Sequence, residues 1–280
     1  RLVGVGGHGI LLAHDAQDFR VTGPHGRLVY TSRDEAAVVA AGAMARRVGV
    51  LSPDAARTLA AEVLGVPAAT LPAAADQAFA AVGHVPLAVA LLAAAVRGRQ
   101  EWGRQEWGQD SDLSRSSWVS VAADLARDAD VYGTHPYATT FRAQHIAVAA
   151  LTDDLRAALL GLAVFPPDTA VPVAAIARYW AHTRGRNADE AVADLDHLLA
   201  AEVLQPGEDA DTIGFHDLAH EYLLLHADAL PALHGQLLDA YRGLLDEPGQ
   251  WWTLPIDEPY VWEHLIAHLG GAGDRGRLVV

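Results

Sequence analysis

The stretch Gly214-Phe215-His216-Asp217-Leu218-Ala219-His220-Glu221-Tyr222-Leu223-Leu224 decides how this chain is read. A β-like run with a turn, Val203 to Ile213, leads into it, and a helix with an apolar stripe at Leu218, Tyr222 and Leu225 leads out. Phe215-His216-Asp217 therefore stands where a strand becomes a helix N-terminus. Asp217 is the expected N-cap, and Glu221 in the next turn is well placed against the helix dipole. His216 lies just outside, where unpaired backbone N–H groups favour anions.

Upstream of this point the pattern is helical. Leu151-Thr152-Asp153-Asp154 opens a helix with Thr152 as its cap and a stripe of Leu155, Leu159, Leu160 and Leu162. Val171-Pro172-Val173 opens a second helix running to Trp180, and Ala188-Asp189-Glu190 opens a third, with Val192, Leu195, Leu198 and Leu199 on one side. A hairpin turning through Pro206-Gly207-Glu208-Asp209 follows. Three helices and a hairpin make a winged helix by count, here assigned to residues 118–228. Such domains often bind DNA, but the third helix and its end carry Asp189, Glu190, Asp194, Asp196 and Glu202. Phosphate would repel that surface, so no direct DNA binding is expected.

Phe-His-Asp-Leu after a hairpin resembles the Met-His-Asp motif of the NB-ARC ATPases, signal-transduction switches that include the apoptotic protease-activating factor, plant resistance proteins and bacterial relatives. Further features occur in the same order along the chain. Leu2-Val3-Gly4-Val5-Gly6-Gly7-His8-Gly9 reads as a strand entering either a phosphate-cradling loop or an ordinary turn. Ile10-Leu11-Leu12-Ala13-His14-Asp15 reads equally as a core strand with a surface acid and as the family's acid-ended Walker B strand. Gly26-Arg27-Leu28-Val29-Tyr30-Thr31-Ser32-Arg33 resembles the family's Thr-Thr-Arg strand end. Gly83-His84-Val85-Pro86-Leu87-Ala88 resembles its Gly-Leu-Pro-Leu-Ala signature with one extra residue, and is also what a buried helix entered at a proline looks like.

The resemblance implies a nucleotide-gated switch. ADP would bridge a nucleotide domain and the winged helix, with Gly6, Gly7 and Gly9 at the phosphates and Pro86 beside adenine. His216 would contact the β-phosphate, Asp15 would be the second Walker B acid, and Arg33 would sense the γ-phosphate. Exchange for ATP would release His216 and free the domains to self-associate, under the control of fused or separate sensor and effector domains. The chain departs from the family where hydrolysis is concerned. It contains no lysine at all, Ile10-Leu11 follow the glycines in place of Lys-Thr, and His14 stands at the first acid. Mg²⁺ binding is accordingly weakened, and at most a slow ATPase is expected. The alternatives are a nucleotide-free interaction scaffold and the control module of a transcription regulator.

The expected architecture is mainly α, with an incomplete α/β, P-loop-like N-terminal part. It divides into a remnant nucleotide domain (1–35), a helical domain and linker (36–117), the winged helix (118–228) and the start of a C-terminal helical domain (229–280). The N-terminal pieces abut, although a parallel crossover needs about a dozen residues or more. Either the nucleotide domain is drastically trimmed or, the favoured reading, the chain lacks residues of a longer protein near Gly9/Ile10 and Phe19/Arg20. Ser52-Pro53 marks a helix start, with Leu59, Val63 and Leu64 at helical spacing, and the tandem Arg-Gln-Glu-Trp-Gly of Arg99 to Gly108 reads as an exposed linker.

Composition sets outer bounds. A net charge of −15 argues against general nucleic-acid or anionic-membrane binding, and the absence of cysteine removes disulfides and thiolate metal sites. No apolar run approaches the ~20 residues of a membrane span, and the cytoplasm is the expected compartment. His216/His220 and His264/His268 are each four apart, but Leu224 stands where a zinc-protease motif needs its second histidine. His264 and His268 are read as partly buried residues flanking a helix surface. No Gly-x-Ser-x-Gly elbow supports a hydrolase.

Overall fold

The computed structural model describes residues 35–40, 44–107, 113–128, 132–133, 135–167, 169–207, 209–227 and 229–273. The described residues are mainly helical, with one small three-stranded sheet. Two compact units are present, 1–49 and 50–280. In the first, Glu35–Ala40 form a short helix, α1, and residues 44–49 are exposed and non-helical, although the sequence reads as helix there.

The second unit begins with helices packed through alanine. Helix α2 (Pro53–Leu64) starts as expected: the Ser52 hydroxyl accepts the Ala55 N–H at 3.2 Å, and Pro53 needs no donor partner at the first position. It ends at Gly65 with φ +66°, a left-handed stop that glycine adopts without steric penalty. Its buried residues are Ala56, Ala60 and Ala61, while Leu59, Val63 and Leu64 lie at the margin of the core. Small side chains let helix backbones approach closely, and Phe79 and Trp118 fill the space that remains. They meet edge to face at 5.3 Å.

Helix α3 (Ala73–Ala81) packs against α5 (Leu113–Arg127), and α4 (Pro86–Trp107) packs against α2, α5 and α6 (Ala138–Ala149). The Arg99 to Trp107 stretch is therefore helix, and the expected linker is corrected. Arg, Gln and Glu are good helix formers that outweigh Gly98 and Gly103. Arg99 also fixes α4 to α5, donating to Ser120 Oγ at 2.8 Å and pairing with Asp124 at 2.6 Å. Two carbonyls meet at Arg97, whose guanidinium donates to Val63 O at 2.6 Å and also to Ala200 O.

Next come α7 (Asp153–Gly161), capped by Thr152, and β1 (Val171–Pro172), leading into α8 (Val173–Arg184) and α9 (Ala188–Ala200). An Asn187/Glu190 capping box starts α9, each side chain accepting the other's backbone N–H. Strands β2 (Gln205–Pro206) and β3 (Thr212–Gly214) complete an antiparallel sheet in the order β1-β3-β2, with Val171 opposite Ile213 and Gln205 opposite Gly214. Helix α10 (Asp217–His226) follows, then α11 (Leu230–Arg242) and α12 (Pro259–Gly271), which pack on one another. Val192 and Leu225, read as core residues, are exposed; Ala191, Ala219 and Leu223 take the inward positions instead.

The hairpin depends on one glycine. Gly207 N–H donates to Thr212 O at 2.9 Å, and a Cβ at 207 would lie 2.0 Å from Thr212 Oγ1 and 3.0 Å from its carbonyl carbon. Gly207→Ala is expected to destabilise the chain by about 1–3 kcal/mol through this overlap, measured as a lower urea midpoint. An unchanged midpoint would show that the turn relaxes freely.

Candidate functional site

Two of the sequence-selected residues are described in the structure. Pro86 is the exposed first residue of α4. The turn before it uses left-handed backbone at Gly83 (φ +60°) and His84 (φ +55°). His84 N–H donates to Phe79 O at 2.9 Å, and His84 O accepts the Leu51 N–H at 3.0 Å, so the approach to Pro86 is held from both sides. His216 is half-buried at the head of α10, and α6 packs against both α4 and α10. Gly6, Gly7, Gly9, Asp15 and Arg33, like the junctions at Gly9/Ile10 and Phe19/Arg20, lie outside the described residues.

The cap of α10 differs from the expectation. His216, not Asp217, is the N-cap: its Nδ1 accepts the Leu218 N–H at 3.2 Å, and Asp217 is the first helical residue. An Nδ1 that accepts carries no proton, so in the neutral ring Nε2 is the protonated nitrogen. The local fold thus fixes a ring donor at a helix N-terminus. His220, one turn on, is buried, and its Nε2–H donates to Phe165 O at 2.8 Å, which ties α10 to the turn after α7. His216 and His220 thus each make a bond of their own, one to the head of α10 and one to the Phe165 carbonyl.

Downstream, α10 carries a histidine–tyrosine network that sequence reading missed. His226 Nδ1–H donates to Tyr222 O at 2.9 Å, so its Nε2 accepts from Tyr132 O–H at 3.2 Å. Tyr222 hydroxyl meets His145 Nδ1 of α6 at 3.2 Å. His135 Nδ1 accepts the Tyr137 N–H, leaving Nε2–H to donate to Glu221 at 3.2 Å, while the ring stacks on Phe141 at 4.5 Å. Burial holds the His145 imidazolium below its ordinary range and pushes the Tyr132 phenol up. Only Tyr222 and His226, four apart on one helix, were visible as neighbours in the sequence. The partners that α10 takes from outside itself, Tyr132, His135 and His145, stand 77 to 94 positions from the residues they meet.

A second cluster joins α11 and α12. His268 is 1% exposed, with Nδ1 2.9 Å from His234 Nδ1 and Nε2 2.9 Å from the Tyr260 hydroxyl. It is a core residue rather than the partly buried helix-surface residue expected. Burial, reinforced by His234 and His264, lowers its pKa to about 3, and burial lowers that of His234 as well. Among the described residues no group of three or more His, Asp or Glu is placed to hold a metal ion. No helix there is long and apolar enough to cross a membrane. Both clusters tie helices together through their side chains, α10 to α6 in the first and α11 to α12 in the second. Compared with known proteins, the chain matches no family model and no curated protein.

Proposed function

We propose that the chain is the core of a nucleotide-gated signalling switch of the NB-ARC type, in which His216 reads the β-phosphate of bound ADP. The observation that carries this reading is the capped His216 ring, whose Nε2–H is left as a donor at the foot of α10. The order α7-β1-α8-α9-β2-β3-α10, with β1 paired to β3, supports a winged helix leading into that histidine. Pro86 at the head of α4 supports an adenine-side wall, and the glycines at 6, 7 and 9 with Asp15 and Arg33 supply the phosphate side by resemblance. A switch requires ADP and ATP to favour different arrangements, with ADP holding the closed one. ATP would then open the chain to self-association, with Mg²⁺ contributing little where Lys and Thr are missing.

The test separates capping from binding. His216→Asn keeps a good N-cap, because asparagine is favoured there, but withdraws the longer ring donor. Titration calorimetry with ADP should show a loss of about tenfold to a hundredfold, the ~1.5–3 kcal/mol of a hydrogen bond to a charged group. Equal affinity in the variant, or no ADP binding and no nucleotide extracted from purified protein, would overturn the reading. A nucleotide-free scaffold is the second reading, favoured by the absence of lysine from the whole chain. Its signature is a folded protein with neither bound nor bindable nucleotide. For the transcription-regulator reading, Asp189, Glu190 and Asp196 are exposed on α9, and Asp194 is paired with Arg184 at 2.9 Å. A gel shift at physiological salt should therefore show no direct DNA complex.

A further inference from the structure

Helix α12 buries one side and leaves another unpartnered. Tyr260, Val261, His268 and Leu269 face the core, while Trp262 and Ile266, one turn apart, point outward at 39% and 73% exposure. Trp262 Nε1 donates to Pro255 O at 3.0 Å, which binds the preceding loop to the helix. Ile256, next to that carbonyl, is 90% exposed. Apolar side chains this large and this exposed gain nothing within the described fold, and a cluster of them marks a contact surface.

The segment that carries the strip is one-sided in charge. From Gly243 to Gly273 the sequence holds five carboxylates, Asp246, Glu247, Asp257, Glu258 and Glu263, and no Lys or Arg. Glu258 is paired with Arg178 of α8. Glu247 accepts only from Gln250 at 2.7 Å, and Asp246, Asp257 and Glu263 meet no Arg or Lys among the described residues. Some carboxylates elsewhere are matched, Asp76 by Arg57, Asp124 by Arg99, and Asp154 and Asp194 by Arg184 and Arg186.

We infer that the Trp262–Ile266 strip is a docking site for a partner helix whose apolar stripe is flanked by Lys or Arg. Two copies of this chain would bring like charges together across the strip, and an anionic lipid surface would meet the same repulsion. A cationic amphipathic helix instead covers the apolar residues and neutralises the rim.

The probe is a helical peptide of Leu and Lys at a/d-like spacing, with a Leu and Glu peptide of the same pattern as its control, each titrated into the full chain. The Lys peptide is expected to bind at least tenfold tighter than the Glu peptide and to weaken as salt rises. Ile266→Asp should lower its affinity tenfold or more, and Glu263→Arg should weaken the Lys peptide while strengthening the Glu peptide. Both positions are exposed, and unchanged circular dichroism and melting will show that the fold is kept. Four results would overturn the proposal: equal binding by the two peptides, no response to Ile266→Asp, dimerisation of the chain that Ile266→Asp abolishes, or binding to zwitterionic vesicles in place of the peptide.

Discussion

Trp118→Ala is expected to destabilise the 50–280 unit by about 3–5 kcal/mol. Trp118 is fully buried on α5 and stands edge-on to Phe79 of α3. Its surroundings are helices already packed through alanine, including Ala75, Ala78 and Ala88, all fully buried. Backbones in such contact have no side chains left to swing into a void, so the vacated volume persists as a cavity. Trp118→Phe removes less volume and also deletes an indole N–H that has no hydrogen-bond partner among the described residues. It should cost well under half as much. Urea unfolding of the three proteins measures both differences. A loss below about 1 kcal/mol for the alanine variant would mean that the α3–α5 contact does not hold the unit together.

The second large effect is a loss of stability in acid centred on His268. Its folded-state pKa of about 3 lies far below the 6.5 of an exposed imidazole, and His234 is displaced in the same direction. Between those values the unfolded chain binds the proton and the folded chain does not. Stability contributed by the neutral ring is therefore complete above pH 6.5 and falls as the pH drops towards 3. The slope is at most about 1.4 kcal/mol per pH unit for each such proton. The cause is geometric: a charged His268 would sit in the core against His234, His264 and Tyr260, with no carboxylate paired to it among the described residues. Denaturant melts at pH 7.5, 6, 5 and 4 should show a shallower decline for His268→Leu than for the parent chain, since other histidines and carboxylates titrate in both. Parallel declines would remove His268 from the account.

Local chemistry made much of this architecture legible. Ser52-Pro53, Thr152 and the hairpin around Gly207 behave as their residue types require, because caps and turns are decided by a few neighbouring atoms. Burial was read less well. In an alanine-rich chain the inward face need not be the most apolar one. Ala56, Ala60 and Ala61 are inside, while Leu225 and Val192 face water. The cap at His216 went unread because Asp217 is the commoner capping type, and nothing in the sequence says which of two adjacent side chains folds back onto the backbone. His268 and the Tyr132–His226 pair were invisible for a different reason: each depends on partners supplied by distant elements. Of the nucleotide-site residues, only Pro86 and His216 fall within the described structure, and each starts a helix that packs on α6.

Arg97 gives this architecture a mechanical property. One guanidinium is shared by the last turn of α2 and the end of α9, through Val63 O and Ala200 O. Val63 moves with Arg97 when the early helices slide across the later ones, so that motion breaks only the bond to Ala200 O. The guanidinium is a one-point tether from the early helices to the end of α9, and slippage there leaves the Ala200 carbonyl to water.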